Sequence, residues 1–446
     1  MTLLDPAPTA SHPVALAAPT GVRRLLAAGG PDPDAHRATF GARPRPTPDR
    51  LIAEAEVAGL TGRGGAGFPV HRKLRAAAEA GGGTNRRTGA GPGAGTPVVI
   101  GNGSEGEPLS AKDRLLLRTA PQLVLDGLLL AAEAIGAGEI RLVADAELHA
   151  GLRTALAAHD EGARIQLAAA RGDFVGGEAS AVVSALEGRR PVPRDHAIRL
   201  TGSGYRRRPT LLQNVETLAH LALIARFGGA WFRSIGGAAA DPADDAGAGS
   251  PIDAGTRLVT ASAPGTALTV LEVAGGTRLG TVLAAARLDD AGVRASGLGA
   301  GVRAVLVGGY HGAWVPAAAL DAPFSVAGLA PWGATPGAGI LHVLPHGRCG
   351  LRVAAGITRM LAAESAGQCG PCVNGLPRIA GLLERVARGE RDPGLTDEIA
   401  RVGELVAGRG ACHHPDGTLR LVASTLREFA SDIAAHRAGT CEEEGR

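Results

Sequence analysis

Apolar residues return at helical spacing late in the chain, at Val353, Ala354, Ile357, Met360 and Leu361, then at Leu376, Ile379, Ala380 and Leu383. Further apolar faces in 395–407 and 419–433 bring the expectation to four short helices, a C-terminal bundle with its cysteines in the loops. Nearer the start the pattern alternates. "DRLIAEAEVAGL" reads as a helix, "VVIGN" as a strand, 121–136 as a helix, "IRLVAD" as a strand and "ELHAGLRTALAAH" as a helix. Strand and helix in turn predict a parallel α/β sheet. Between these regions, "RLVTASA", "ALTVLEVA" and "VRAVLVGGY", with one helix near 280–287, predict a small β-rich module. Residues 1–48, rich in Pro and Ala, read as an irregular extension with one short helix near "VRRLLAAGG". "AEAGGGTNRRTGAGPGAGTP" reads as a flexible insertion, and "GGAAADPADDAGAGSPIDAGT" as a boundary near 236–255. The expected units are therefore 1–48, 49–235, 256–330 and 340–440.

Composition narrows the function classes. A chain of 446 residues with 45% apolar residues is long enough for a well-buried core. A net charge of +3 argues for neither nucleic acid nor an anionic membrane as partner. Five cysteines, an odd number, describe no disulfide framework and fit a reducing cytoplasm with thiols free for metal. The N-terminus lacks the basic start and continuous apolar core of a signal peptide. The most apolar run, "LVLDGLLLAAEAIGAG", is interrupted by Asp126 and Glu133, so it is expected as a buried helix with no direct membrane insertion.

The chemistry is expected in a few segments. "GLTGRGGAGFPVHRKL" places Gly62, Gly64, Gly65 and Gly67 where the backbone can turn sharply and approach a phosphate or flat ring without a Cβ in the way. The loop follows a helix, so it is no standard dinucleotide fingerprint. "VIGNGSEGEPLSAKDR" puts Asn102, Ser104, Glu105 and Glu107 just after a strand, where open α/β sheets bind ligands. "GDFVGGEASAVVSALEG" has a Gly-Gly-Glu turn entering a helix, and "RRPTLLQNVETLAHLALIARF" puts Asn214 at the N-cap of an apolar helix. Cys369 and Cys372 form a C-x2-C pair, with Cys412, His413 and His414 further on. Such residues suit zinc, or a metal-free turn, as well as an iron–sulfur cluster.

Taken in order, "GRGGAGFP", "NGSEGEP…KDR", "GGE…SALEG", "PTLLQNVETLA" and the late "ES-G-C-PC" resemble the NADH-oxidising flavoprotein subunit of respiratory complex I and its relatives in NAD-linked hydrogenases and formate dehydrogenases. The resemblance covers roughly 50–440 and implies three units: a Rossmann-like α/β FMN/NADH domain, a β-grasp module of the soluble-ligand-binding (SLBB) type, and a four-helix iron–sulfur bundle. It implies flavin contacts at Gly62, Gly64, Gly65, Gly67, Lys73, Asn102, Ser104, Glu105, Gly177, Glu178, Asn214 and Thr217, with Phe68 and Glu107 beside NADH. It also implies an NADH dehydrogenase that passes electrons to a ferredoxin-like or thioredoxin-like iron–sulfur subunit or a quinone-reductase partner. Hydride transfer belongs to the flavin, so no catalytic side chain is expected.

This chain departs from the family pattern at several of these places. The family pattern has aspartate at Ser104, a second glutamate at Ala179, tyrosine at Phe174 and asparagine at Gln213. Its cluster uses C-x2-C-x2-C and a later cysteine, and here Ala366 stands in the first place before Cys369, Cys372 and Cys412. Three thiolates hold a 3Fe-4S cluster, or a 4Fe-4S cluster with a further ligand from Ser365, His413, His414, Cys349 or Cys441. Two alternatives stay open: a flavin–ferredoxin protein with weak or no NADH use, and a scaffold whose cluster has decayed.

Overall fold

Two sheets organise the chain, and their strand orders decide where its chemistry sits. The computed structural model describes residues 15–16, 23–82, 95–195, 197–236 and 253–441. Most of the insertion and boundary loops expected at 78–97 and 236–255, and much of the N-terminal extension, lie outside the described residues. A two-residue strand, β1 (Ala15–Leu16), comes first, followed by α1 (Pro33–Phe40), α2 (Pro48–Val57) and α3 (Val70–Gly82). The helix expected near "VRRLLAAGG" is a run of turns instead. The buried Glu272 carboxylate accepts the Leu25 and Leu26 N–H groups at 2.9 and 3.2 Å, taking donors that a helix would use.

Four parallel strands, β2 (Val98–Gly103), β3 (Glu139–Ala144), β4 (Ile165–Ala169) and β5 (Thr210–Asn214), lie in the order β4-β3-β2-β5. The helices here are α4 (Lys112–Thr119), α5 (Pro121–Ile135), α6 (His149–Ala158), α7 (Ala179–Leu186), α8 (Val215–Phe227) and α9 (Gly229–Arg233). Strand β2 is buried along its whole length, as a parallel strand covered on both faces must be. The chain adds β3 and β4 on one side of β2, then returns to lay β5 on the other. The order reverses between β2 and β5, where open α/β sheets leave a crevice for ligands. Asp126, the charge inside the apolar run, is buried on α5. It meets His36 at 3.0 Å, His159 at 3.1 Å and Arg226 at 2.5 Å. No single helix is long and apolar enough to cross a membrane among the described residues.

The second sheet contains β6 (Thr256–Ser262), β7 (Thr269–Ala274), β8 (Val302–Val307), β9 (Ala313–Pro316) and β10 (Ile340–Pro345), in the order β1-β7-β6-β10-β8-β9. Strand β10 runs parallel to β6 and antiparallel to β8. The short helices α10 (Leu279–Ala285), α11 (Asp290–Ala295) and α12 (Val326–Leu329) accompany this sheet. The module therefore reaches beyond the expected limit at 330, because its central strand is β10. A short apolar run beside helical sequence carries no sign of its partners; pairing with β6, about eighty residues earlier, makes it a strand.

The C-terminal unit has α13 (Gly350–Ala363), a π-helical turn at Pro371–Gly375, α14 (Leu376–Ala387), α15 (Leu395–Val406), α16 (His414–Glu428) and α17 (Ala430–Arg437). These are five helices where four were expected. The apolar stretch 419–433 breaks at Phe429, whose buried ring packs edge-on against Trp314 at 5.3 Å. Buried charge joins the first two units: Lys112 meets Glu216 at 2.9 Å and Asp113 at 2.7 Å, and Glu216 accepts the Leu258 N–H of β6 at 2.9 Å.

Candidate functional site

At the reversal point, Asn102 stands one residue before the end of β2 and Asn214 ends β5, and the two are direct register partners. The Asn214 side-chain oxygen accepts the Glu216 N–H at 3.0 Å and so caps α8, while its Nδ2 donates to Asp113 at 2.6 Å. The glycine loop between α2 and α3 lies over this point. Its ends close through a Thr61–Pro69 bridge, and a Cβ on Gly64 would stand 3.3 Å from the Asn214 Cβ. Gly65 and Gly67 have φ of 108° and 62°, where glycine carries no steric cost. The buried Arg63 pins the loop: its N–H donates to Thr217 Oγ1 at 2.8 Å, and its guanidinium to the Ala254 and Thr256 carbonyls at 3.1 and 3.2 Å. Phe68, at the end of the loop, is 53% exposed, an aromatic face presented to solvent.

Lys73, in the first turn of α3, donates to the Leu212 carbonyl at 2.6 Å. Burial pushes its pKa down to about 8, with Glu178 pulling the other way. Asn102 Nδ2 donates to the Gly177 carbonyl at 3.0 Å, joining the strand end to the Gly-Gly-Glu turn. Beside these, Ser104 Oγ and Gln213 Nε2 are buried with no partner among the described residues. Such orphaned groups are costly unless a ligand or water completes them.

Not every expected residue turns a free side chain to this crevice. Glu105 accepts the Asp113 and Arg114 N–H groups, both at 3.1 Å, and the Ser110 hydroxyl at 2.5 Å; it caps the start of α4. Glu178 accepts the Ser180 and Ala181 N–H groups at 2.8 and 3.0 Å and caps α7. Thr217 is occupied by Arg63. All three position the loops around the crevice. Arg63, Lys112 and Asp113 were not singled out from the sequence; the only signal was that "KDR" follows the strand-end acids.

Glu107 lies in the other direction, against the turn after β8. Its carboxylate accepts the Tyr310 N–H at 3.3 Å. Burial raises its pKa from 4.5 to about 8, against the Tyr310 and Leu109 N–H groups. Between these values the folded chain keeps a proton that the unfolded chain releases, so stability falls as pH rises from about 4.5 to about 8. Glu107→Gln is expected to match the wild type near pH 4.5 and to gain on it by on the order of 4 kcal/mol by pH 9. Thermal unfolding midpoints of both proteins across this range check it; a gap that does not change with pH would mean that Glu107 is not a buried neutral acid.

The thiols form a second centre. Cys369 and Cys372 Sγ are 3.7 Å apart. Burial works to raise the Cys369 pKa, but the Ala411 and Cys372 N–H groups hold it below its ordinary value. Burial and the neighbouring Cys369 push Cys372 up to about 11, with Cys412 adding to the effect. Burial also raises Cys412, opposed by the His414 N–H. The three sulfurs are thus close enough to feel one another's charge, and backbone donors point at each. Ala366 is buried beside them and offers no ligand. His414 Nε2 meets the Leu361 carbonyl at 2.8 Å and its Nδ1 meets His311 at 3.0 Å, so both ring nitrogens are engaged. Burial lowers the His311 pKa to about 3 and also lowers that of His414, against the Leu361 carbonyl. Phe174, three residues before Gly177, stacks on Tyr310 at 6.4 Å and meets His311 and His414 edge-on at 4.9 and 5.7 Å. These rings bridge the crevice side to the cysteine side. Tyr310 and His311 carried no signal of their own in the sequence.

Two family models match the chain: a Nuo51 FMN-binding domain over 55–223 and an NADH-ubiquinone oxidoreductase-F iron–sulfur binding region over 352–436. The chain is similar to the second F-type chain of NADH-quinone oxidoreductase from Rhizobium meliloti, 28% identical over 407 residues, 87% of this chain and 89% of that one. It is similar to the F-type chain of NADH-quinone oxidoreductase from Salmonella typhimurium, 28% identical over 410 residues, 87% and 84% of the two chains. Among solved structures it resembles a chain of the air-oxidized NAD+-reducing NiFe hydrogenase, with a TM-score of 0.76 and 28% identity over 96% of this chain and 68% of that one.

Proposed function

Since the chain belongs to the family of NADH-oxidising FMN and iron–sulfur flavoprotein subunits, we propose that it oxidises NADH and delivers the electrons to a ferredoxin-like or thioredoxin-like iron–sulfur partner. The observation that carries this reading is the reversal point between β2 and β5. The glycine loop over Asn214, the buried Lys73 bonded to the Leu212 carbonyl of β5, and the buried Ser104 Oγ and Gln213 Nε2 without partners among the described residues all belong to segments that meet there, which supports the reading.

These residues fit FMN. The loop presents backbone with no Cβ at Gly62, Gly64, Gly65 and Gly67 to a flat ring, Lys73 supplies a cation for an electron-rich group, and Ser104 and Gln213 have unspent hydrogen-bonding capacity. When bound, FMN supplies hydride acceptance and the division of the electron pair. The chain's own part is to hold and orient. Asn214 fixes the start of α8, where free N–H groups favour an anion. Thr217 and Arg63 keep the loop at one height above the strands, and Phe68 offers an aromatic face for the dinucleotide. Glu105 and Glu178 hold the flanking turns.

The cysteine centre offers three thiols to an iron–sulfur group, Cys369, Cys372 and Cys412, each with backbone N–H donors at its sulfur. Ala366 leaves the remaining corner without a thiolate. Both ring nitrogens of His414 are engaged, and Cys349 and Cys441 lie at the far end of α13; Ser365, next to Ala366, and His413, next to Cys412, are the candidates adjacent in sequence.

The second sheet has the ribbon order of a β-grasp: counted within the module, strand five is central and lies beside strand one, to which it is parallel. This supports reading the middle unit as an SLBB-type module that joins the crevice to the cysteines. Anaerobically purified protein should contain FMN and iron, lose flavin absorbance on adding NADH, and reduce ferricyanide with NADH. Flavin-loaded protein whose spectrum ignores NADH would overturn the donor. Protein that binds neither flavin nor iron would favour a scaffold.

A further inference from the structure

The remaining cysteines are not scattered thiols. Cys349 stands at the N-cap of α13, and Cys441 follows the end of α17. Gly439, at φ 85°, turns the chain back, with Gly439 N–H bonded to the His436 carbonyl and Thr440 N–H to the Ala435 carbonyl, both at 3.0 Å. That turn returns Cys441 over His436. The Cys349 and Cys441 sulfurs and a His436 ring nitrogen all lie within 4.8 Å of one another. Cys349 Sγ is 3.3 Å from His436 Nε2.

The histidine is oriented as a ligand. His436 is 6% exposed, and its Nδ1 lies 2.9 Å from the Ala387 carbonyl at the end of α14, an acceptor that requires the proton on Nδ1. In the neutral ring Nε2 is then a bare lone pair, and it faces a thiol. A carbonyl on the outer nitrogen is the arrangement that sets tautomer and ring angle in metal-bound imidazoles. Burial pushes the Cys349 pKa up to about 12, against the Arg352 and Leu351 N–H groups at the start of α13, so the metal-free thiol keeps its proton until a cation displaces it.

The geometry points to a zinc site at Cys349, His436 and Cys441. Two thiolates and one imidazole suit a tetrahedral d10 cation, whose edges with these ligands are roughly 3.5–3.8 Å long; the fourth position is left for water. Binding releases the two thiol protons. The ion would join the start of α13, the last turn of α17 and the tail. The site is separate from the three-cysteine centre. Cys349 precedes α13 and Cys369 follows it, and fourteen residues of helix span about 21 Å.

The full chain, purified anaerobically with its flavin and iron in place, is exposed to zinc and then dialysed against metal-free buffer. One zinc per chain is expected, with a zinc X-ray absorption edge fitted by two sulfurs and one nitrogen. C349S, H436Q and C441S should each lose that zinc and keep wild-type iron, acid-labile sulfide and FMN. C441S alters only the half-buried tail and so keeps the test sound even where the two core variants fold poorly. No retained zinc in the wild type overturns the site. So does zinc that survives in C441S, or an anaerobic chain two mass units light from a Cys349–Cys441 disulfide.

Discussion

Lys73→Met is expected to weaken FMN binding by between about 10- and 100-fold. The lysine ammonium carries three donors and spends one on the Leu212 carbonyl, and burial already depresses its pKa to about 8. A buried cation with so little compensation is a site that waits for an electron-rich partner. A hydrogen bond from a charged group contributes about 1.5–3 kcal/mol, which sets the range of affinity lost. Methionine keeps the volume and removes a desolvated charge, so the flavin-free protein should unfold at the same temperature or higher. Wild-type affinity should fall as pH rises through about 8, where the free lysine loses its proton, and the variant should show no such fall. Flavin fluorescence titrations at pH 7 and 9 test both statements. Equal affinity in the two proteins would remove Lys73 from the site.

Gly127→Ala is expected to destabilise the chain by about 3 kcal/mol or more. Helices α5 and α8 pack so closely at Gly127 that an added Cβ would lie 1.9 Å from the Leu218 carbonyl oxygen and 2.4 Å from its carbon. Those atoms are backbone, and no rotamer change relieves them. The helices must part, and overpacking of ordinary side chains alone costs about 1–3 kcal/mol. Because α8 begins at Asn214 and carries Thr217, displacing it also shifts the cap and the anchor of the glycine loop. Weaker FMN binding should accompany the lower melting temperature. Gly381→Ala on α14 is the control: a Cβ there meets nothing within 4 Å, so it should gain stability by up to about 1 kcal/mol. If Gly127→Ala melts with the wild type, the close crossing of α5 and α8 is not real.

The features readable from sequence share one property, locality. Asn214 as a cap, the Gly-Gly-Glu helix entry, the glycine loop and the C-x2-C spacing all depend on residues within a turn of one another. The alternation of strands and helices from 98 to 158 is equally local, since periods of 2 and 3.6 are set by backbone geometry. Their family order identified the chain's chemistry before any contact was known.

The roles of individual acids were not local. Glu105 and Glu107 are two residues apart, yet one caps α4 and the other is buried against Tyr310, about two hundred residues away. No spacing distinguishes them. Residue by residue, the chain itself determined its elements, its helix caps, its loop of glycines and the kind of cofactors it is built to hold. Tertiary structure alone made Asn102 and Asn214 neighbours, drew β10 into the second sheet, and separated Cys349 and Cys441 from the three clustered thiols to gather them around His436. The physical reason is range: local pattern fixes backbone conformation over a few residues, whereas strand register and ligand convergence arise from burying surfaces contributed by segments far apart in sequence.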